Sequence, residues 1–168
     1  MTQTKKTTTS KRNFTVKKAV KLPPNPFQHE ILDLVNEQRT KPKRVEILKE
    51  YANDALKSLL IWNFDESVKS LLPEGEVPYT PNEAPAGTEH TLLEQESKRF
   101  YYFVANGNAN IPQVKRETMF IQMLEGLHSS EAELMVLTKD KKLGKKYKIT
   151  RACVEEAFPQ IVWGNRGA

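Results

Sequence analysis

Apolar side chains recur three or four positions apart along most of this chain, which is the spacing of one face of an α-helix. The first such stripe predicts a helix from Pro26 to about Arg39, with Asn25 as its N-cap. Its members stand at positions i, i+4, i+7 and i+8 and are Phe27, Ile31, Leu34 and Val35. Few stretches alternate apolar and polar residues, so we expect an all-α fold with at most one small hairpin.

The same spacing predicts six or seven short helices in a compact bundle. Asn53 or Asp54 should cap a helix that ends at Phe64, and Asp65 should cap one further turn. The remaining predicted helices span about 45–51, 88 or 91–105, 112–127, 129 or 130–138 and 151–158. The expected core residues are Phe27, Ile31, Leu34, Leu56, Leu59, Leu60, Phe100, Phe103, Phe120, Met123, Leu124, Leu134 and Val154.

Two segments interrupt this helical pattern. Residues 73–88 hold four of the ten prolines, which cannot donate backbone hydrogen bonds, so a long loop is expected there with Val77 and Tyr79 against the body. Residues 1–21 are rich in threonine and lysine and too poor in apolar residues to offset the entropy of ordering. The predicted organisation is a disordered tail over 1–21 and a single helical domain over 22–168.

The charge is distributed very unevenly. The formal charge is +5, yet the tail contains seven basic residues and no acidic residue, so residues 22–168 together carry −2. Such a tail favours polyanions or acidic surfaces as partners. Its basic residues are Lys5, Lys6, Lys11, Arg12, Lys17, Lys18 and Lys21.

A second basic segment, residues 139–151, has seven basic residues and one acidic residue between two predicted helices. Its candidate contacts to phosphate are Lys139, Lys141, Lys142, Lys145, Lys146, Lys148 and Arg151, with Tyr147 as a stacking face. A solvated loop is the alternative interpretation. The two basic segments contain twelve lysines and two arginines, which suits contact with a phosphate backbone better than the recognition of particular bases.

Motifs for catalysis are weak. His29-Glu30-x-x-Asp33 lacks the second histidine of a zinc-protease helix, and Gly144-Lys145-Lys146 lacks the earlier glycine and the hydroxyl of a phosphate loop. The single Cys153 cannot form an internal disulfide, which suits a reducing compartment, and a small buried hydrophobe is its expected role. We therefore expect no catalytic residue, no metal site and no cofactor.

Three stretches resemble small proteins of tailed bacteriophages, including T4-like phages of marine cyanobacteria. They are LLIWNFDESVKSLLPEGEVPYTPN (59–82), APAGTEHTLLEQE (84–96) and FIQMLEGLHSSEAELMVLTKDKKLGKKYKITRACVEEAFP (120–159). The resemblance covers about residues 43–166 and implies a phage product, in the host bacterial cytoplasm or in the virion. That family has no established activity, so no functional residue is carried over.

Two functions lead from the sequence, ahead of a third alternative, a hydrolase around Cys153 or His29. One is a non-enzymatic accessory protein that contacts nucleic acid non-specifically or docks on replication or transcription machinery. The other is a virion structural or assembly protein whose tail orders against an acidic subunit or packaged DNA. No apolar run approaches the ~18 residues of a membrane span, so a membrane partner is not expected.

Overall fold

The computed structural model describes residues 22–83, 89–107 and 110–166. These residues form eight α-helices and one 3-10 helix, Ser97–Tyr102, with no strand longer than a single bridge. The predicted all-α fold is therefore confirmed. The α-helices are α1 (Gln28–Glu37), α2 (Lys41–Glu50), α3 (Asp54–Phe64), α4 (Leu93–Glu96), α5 (Gln113–Gly126), α6 (Ser129–Lys139), α7 (Leu143–Lys146) and α8 (Arg151–Ala157).

Side-chain caps set several helix starts where the sequence placed them. Asn53 accepts a hydrogen bond from the amide of Leu56 at 2.8 Å, and Thr150 accepts one from Cys153 at 3.3 Å. The start of α1 was predicted wrongly. Phe27 is its N-cap, and the Glu30 carboxylate accepts the Phe27 amide at 2.8 Å, as in the second half of a capping box.

Two other predicted helices differ from the structure. No helical turn follows Asp65, because its carboxylate binds the amide and hydroxyl of Ser67 and holds a turn instead. The helix expected up to Ala105 begins at Leu93, tightens into the 3-10 helix and ends at Tyr102. The chain then bends back at Gly107, which lies against the end of the 3-10 helix. Only glycine fits there, because an added Cβ would lie 1.9 Å from the Tyr101 carbonyl oxygen.

The helices pack around one continuous apolar core. Helix α1 packs on α2 and α6, α2 packs on α8, and α3 packs on α4 and α6. All the predicted core residues are buried except Phe27, which is half-buried and contacts the rings of His29 and His128. In the first turn of α5 the apolar Val114 is 78% exposed, whereas the charged Arg116 is buried.

The proline-rich segment lies against this core as far as it is described. Val77 and Tyr79 are half-buried and pack on the core, as predicted, and the amide of Thr80 donates to Glu125 at 2.9 Å. Residues 84–88 of the predicted loop lie outside the described residues. The small hairpin considered from the sequence is instead an isolated antiparallel bridge between Ser70 and Val104.

Candidate polyanion-binding surface

The candidate residues fall into three groups in the structure. The seven basic residues of the tail lie outside the described part of the chain. In the second basic segment, residues 139–141 are directed into the protein, whereas Lys145, Lys146 and Lys148 are exposed. The 139–141 stretch, here called the lysine clamp, and the exposed stretch 142–148 therefore have separate roles.

Lys139 is the centre of the lysine clamp. Its side chain is 1% exposed, and its ammonium donates to the carbonyls of Pro73 at 2.7 Å and Gly75 at 2.8 Å, and to the Asp140 carboxylate at 2.8 Å. The other Asp140 oxygen accepts the amide of Gly75 at 3.0 Å. All three ammonium donors are thus satisfied inside the protein, so Lys139 is withdrawn from the predicted phosphate-binding residues.

Lys141 ends helix α6 in an unusual way. Its amide donates to Thr138 and that of Lys142 to Leu137, which is the hydrogen-bond pattern of a Schellman motif. The motif places Lys141 at a φ of 59°, a left-handed conformation that glycine normally adopts. The Lys141 ammonium donates to the carbonyls of Trp62 at 2.6 Å and Asp65 at 2.8 Å. These bonds hold the strained residue and occupy its half-buried ammonium, so Lys141 is also withdrawn from the predicted phosphate-binding residues.

Asp65 connects the lysine clamp to the C-terminal segment. One of its oxygens accepts from Ser67, and the other accepts the amide of Gly164 at 3.0 Å and the guanidinium of Arg166 at 2.7 Å. Burial alone raises the pKa of Asp65, but the hydrogen bonds from Ser67, Gly164 and Arg166 outweigh it and lower that pKa from 3.8 to about 2. Asp65 therefore stays ionised at neutral pH and fastens the two segments together.

The exposed stretch begins beyond the lysine clamp. Tyr147 is in extended conformation, so alternate side chains point to opposite sides. Tyr147 and Ile149 are 3% and 2% exposed, whereas Lys148 between them is exposed. Tyr147 was predicted as a stacking face, and this is wrong because its ring is a core side chain whose burial raises its pKa.

Ion pairs further divide the exposed basic residues. Lys146 pairs with Glu133 at 2.7 Å, and Arg151 pairs with Glu155 at 3.0 Å while lying 4.7 Å from the Trp163 ring centre. Lys142, Lys145 and Lys148 make no ion pair with any residue that the structure describes. Their charges are therefore the ones in this stretch that stay available to an external anion.

A polar cluster beside α6 was not anticipated from the sequence. Glu131 is 1% exposed and accepts the amides of Gln28 at 2.8 Å and Leu93 at 3.0 Å, so it ties the starts of α1 and α4 to α6. Burial raises its pKa. His128 Nδ1 accepts from Ser130 and caps α6, where Ser129 or Ser130 was expected to do so. This cluster joins helices, and backbone amides occupy both Glu131 oxygens and His128 Nδ1.

The remaining features to place are the single cysteine and any metal-binding or membrane-spanning element. Cys153 is 2% exposed, and burial raises the pKa of its thiol. Within 22–83, 89–107 and 110–166 no three His, Cys, Asp or Glu side chains are placed to hold a metal ion. In the same ranges no helix has the length and apolar character needed to cross a bilayer.

The fold and surface define a small all-α protein that buries part of a lysine-rich segment and exposes the rest. A family of unknown function, DUF6433, matches residues 31–145 of this chain, and the chain belongs to that family. No curated protein and no solved structure matches it. The matched range includes the lysine clamp and ends at Lys145, whereas the tail and Lys148 lie outside it.

Proposed function

We propose that this protein is a non-enzymatic accessory protein that contacts the phosphate backbone of nucleic acid. The tail and the exposed stretch 142–148 supply the charge. The observation that carries this proposal is that Lys145 and Lys148 are exposed and make no ion pair with a described residue. When such ammonium groups contact phosphates, they displace counterions that were condensed on the nucleic acid. This release is the main driving force of non-specific binding.

Lysine chemistry also indicates the kind of recognition. The exposed cations of the 142–148 stretch are all lysines, and the stretch presents no aromatic face because Tyr147 is buried. Lysine is a point charge on a flexible stem and lacks the planar fork with which arginine selects guanine. Contact with the backbone of either duplex or single-stranded nucleic acid follows, with little dependence on base sequence.

The phage setting belongs to the same proposal. The resemblance over about residues 43–166 supports a phage product that works in the host cytoplasm with nucleic acid or with replication or transcription machinery. A role in the virion is the alternative, with the tail bound to an acidic subunit or packaged DNA. Copies of the protein in purified particles, in stoichiometric amounts, would favour that alternative.

The test measures binding of the full-length protein to labelled duplex and single-stranded DNA from about 50 to about 300 mM salt. If five to seven phosphates are neutralised, the slope of log K against log salt should be about −5. A variant with all seven tail basics replaced by glutamine should show a shallower slope, and Lys145→Gln/Lys148→Gln should make the slope less negative by about 2.

A matched control keeps the loss of charge constant. Lys98→Gln/Lys115→Gln also removes two exposed cations, but from the 3-10 helix and α5, outside the basic segments. This pair should leave the slope nearly unchanged. No binding by the wild-type protein at about 50 mM salt would overturn the proposal and direct attention to an acidic protein partner.

A further inference from the structure

A third basic segment spans the connection after α1 and the first turn of α2. Arg39, Lys41 and Lys43 are all exposed, and Arg44 beside them is half-buried with its guanidinium on the Gln38 carbonyl. Lys41 pairs at 3.4 Å with Glu156, and both of these side chains are about half exposed. Arg39 and Lys43 make no ion pair with any described residue.

The fold brings this segment beside the exposed stretch 142–148, although about a hundred residues separate them. The amide of Lys148 donates to the Asn36 side chain at 2.8 Å, at the end of α1 and three residues before Arg39. Helix α2 packs on α8, and the ion pair of Lys41 with Glu156 joins their exposed sides. The two basic segments are therefore neighbours on the surface.

Helix stability does not account for the basic residues at the start of α2. Lys41 and Lys43 occupy its first turn, which contains no acidic residue. The positive end of the helix dipole lies at this first turn and disfavours cations there. Lys41 has its ion pair with Glu156, but Lys43 opposes this preference without an ion pair to any described residue, as is expected where a function requires the charge.

The rest of the chain after position 21 has a net charge of the opposite sign. Residues 36–44 and 142–156 together contain nine basic and three acidic residues, a net charge of +6. The remaining residues after position 21 contain ten basic and eighteen acidic ones, a net charge of −8. A polyanion is thus attracted to one face of the domain and repelled by the others.

We propose that residues 36–44 and 142–156 form one continuous face, the two-segment face, that binds the phosphate backbone of a nucleic acid. This inference rests on the proposed function and extends it to Arg39, Lys41 and Lys43. None of the large exposed hydrophobic residues (Leu92, Tyr101, Val114 and Val162) belongs to either segment. Protein partners usually need aromatic or apolar anchors, whereas a backbone with a charge about every 1.7 Å of duplex needs distributed cations.

The first experiment compares three double variants of the full-length protein in the same DNA-binding assay. Arg39→Gln/Lys43→Gln tests the new segment, Lys145→Gln/Lys148→Gln tests the exposed stretch 142–148, and Lys98→Gln/Lys115→Gln is the control of equal charge. Each of the first two should make the slope of log K against log salt less negative by about 2. Each should also lower the affinity at about 0.1 M salt by ten- to a hundredfold. The control should stay within about twofold of wild type, and circular dichroism should show that all three are folded.

The outcomes separate this inference from the function on which it rests. If Lys145→Gln/Lys148→Gln weakens binding and Arg39→Gln/Lys43→Gln does not, the two-segment face is wrong and the proposed function stands. If the control weakens binding equally, the attraction is a property of total charge and the face is also wrong. If the wild-type protein does not bind DNA, both fail, and binding to an acidic protein instead would identify the other class of partner.

A second measurement needs no substitution. Lysine acetylation, quantified by mass spectrometry with and without a DNA duplex, reports which ammonium groups are covered. Lys43, Lys145 and Lys148 should become several-fold less reactive with DNA, while Lys98 and Lys115 keep their reactivity. Protection of Lys145 and Lys148 without protection of Lys43 would contradict the two-segment face.

Discussion

The lysine clamp and the exposed stretch 142–148 have similar composition and adjoin in the chain, yet the protein uses them in opposite ways. Lys139 has three hydrogen-bond acceptors inside the protein, whereas Lys145 and Lys148 are exposed and unpaired with any described residue. The difference lies in the neighbours. Carbonyls of residues 62, 65, 73 and 75 surround the clamp, whereas no described carbonyl accepts from the ammonium of Lys145 or Lys148.

This comparison shows that a lysine run is not a single functional unit. An ammonium taken out of water needs an anion and further acceptors, and Lys139 has both in Asp140 and the 73–75 turn. Gly75 contributes because its φ of 100° suits glycine and lets the turn offer both its amide and its carbonyl to the clamp. The clamp therefore belongs to the fold, and the exposed stretch is free for binding.

The largest expected effect is the loss of Lys139. Lys139→Gln should lower the free energy of unfolding by about 3–5 kcal/mol, because it leaves the Asp140 carboxylate buried without its cation and two carbonyls without a donor. Urea denaturation followed by circular dichroism would measure it. An unfolding free energy within about 0.5 kcal/mol of wild type would contradict the buried clamp.

A double variant controls for this interpretation. Adding Asp140→Asn removes the unpaired charge, so the double variant should be less destabilised than the sum of the two single variants. Simple additivity would mean that Lys139 and Asp140 do not act as a pair.

The next largest effect is a loss of folding stability at acidic pH. Because the pKa of Asp65 is about 2 in the folded protein and 3.8 when the carboxyl is unperturbed, its ionisation stabilises the fold at any pH above about 4. That contribution, on the order of 2 kcal/mol, should disappear as the pH falls from about 4 to about 2. Asp65→Asn should have a flatter stability curve in this window, and an identical curve for both proteins would sink the assignment.

Lys141 should have a smaller effect than Lys139. Lys141→Gln should cost about 1–2 kcal/mol, since it weakens two hydrogen bonds to carbonyls but leaves no carboxylate unpaired. Lys141→Gly loses the same bonds but relieves the left-handed backbone, so it should be more stable than Lys141→Gln by about 1 kcal/mol. Equal unfolding midpoints for these two variants would show that the strain is absent.

The sequence predicted the helices well because helical periodicity and caps are local signals. Asn53 and Thr150 cap the expected helices, and the core predicted from apolar stripes is buried apart from Phe27. The lysine clamp could not be predicted in this way. Its acceptors on Trp62, Pro73 and Gly75 lie more than sixty residues away along the chain, and backbone carbonyls carry no sequence signal.

The candidate site shows the same limit. Charge counting found the second basic segment but could not separate Lys139 from Lys145, because both are lysines between helices. It also passed over Arg39 and Lys43, whose position beside Lys148 depends on the contact between Lys148 and Asn36. One sequence signal does point to this segment. Lys41 and Lys43 begin a helix, where cations oppose the helix dipole, and this would have marked the segment as a candidate.

The smallest expected effect completes the comparison. Lys145→Gln/Lys148→Gln makes the same chemical change as Lys139→Gln, twice, but should alter the free energy of unfolding by less than about 0.5 kcal/mol. Both side chains are exposed, and neither has an ion pair with a described residue to lose. Urea denaturation at about 0.1 M salt would measure the change. A loss above about 1 kcal/mol would mean that these lysines also support the fold, and weakened DNA binding could then no longer be assigned to lost phosphate contacts.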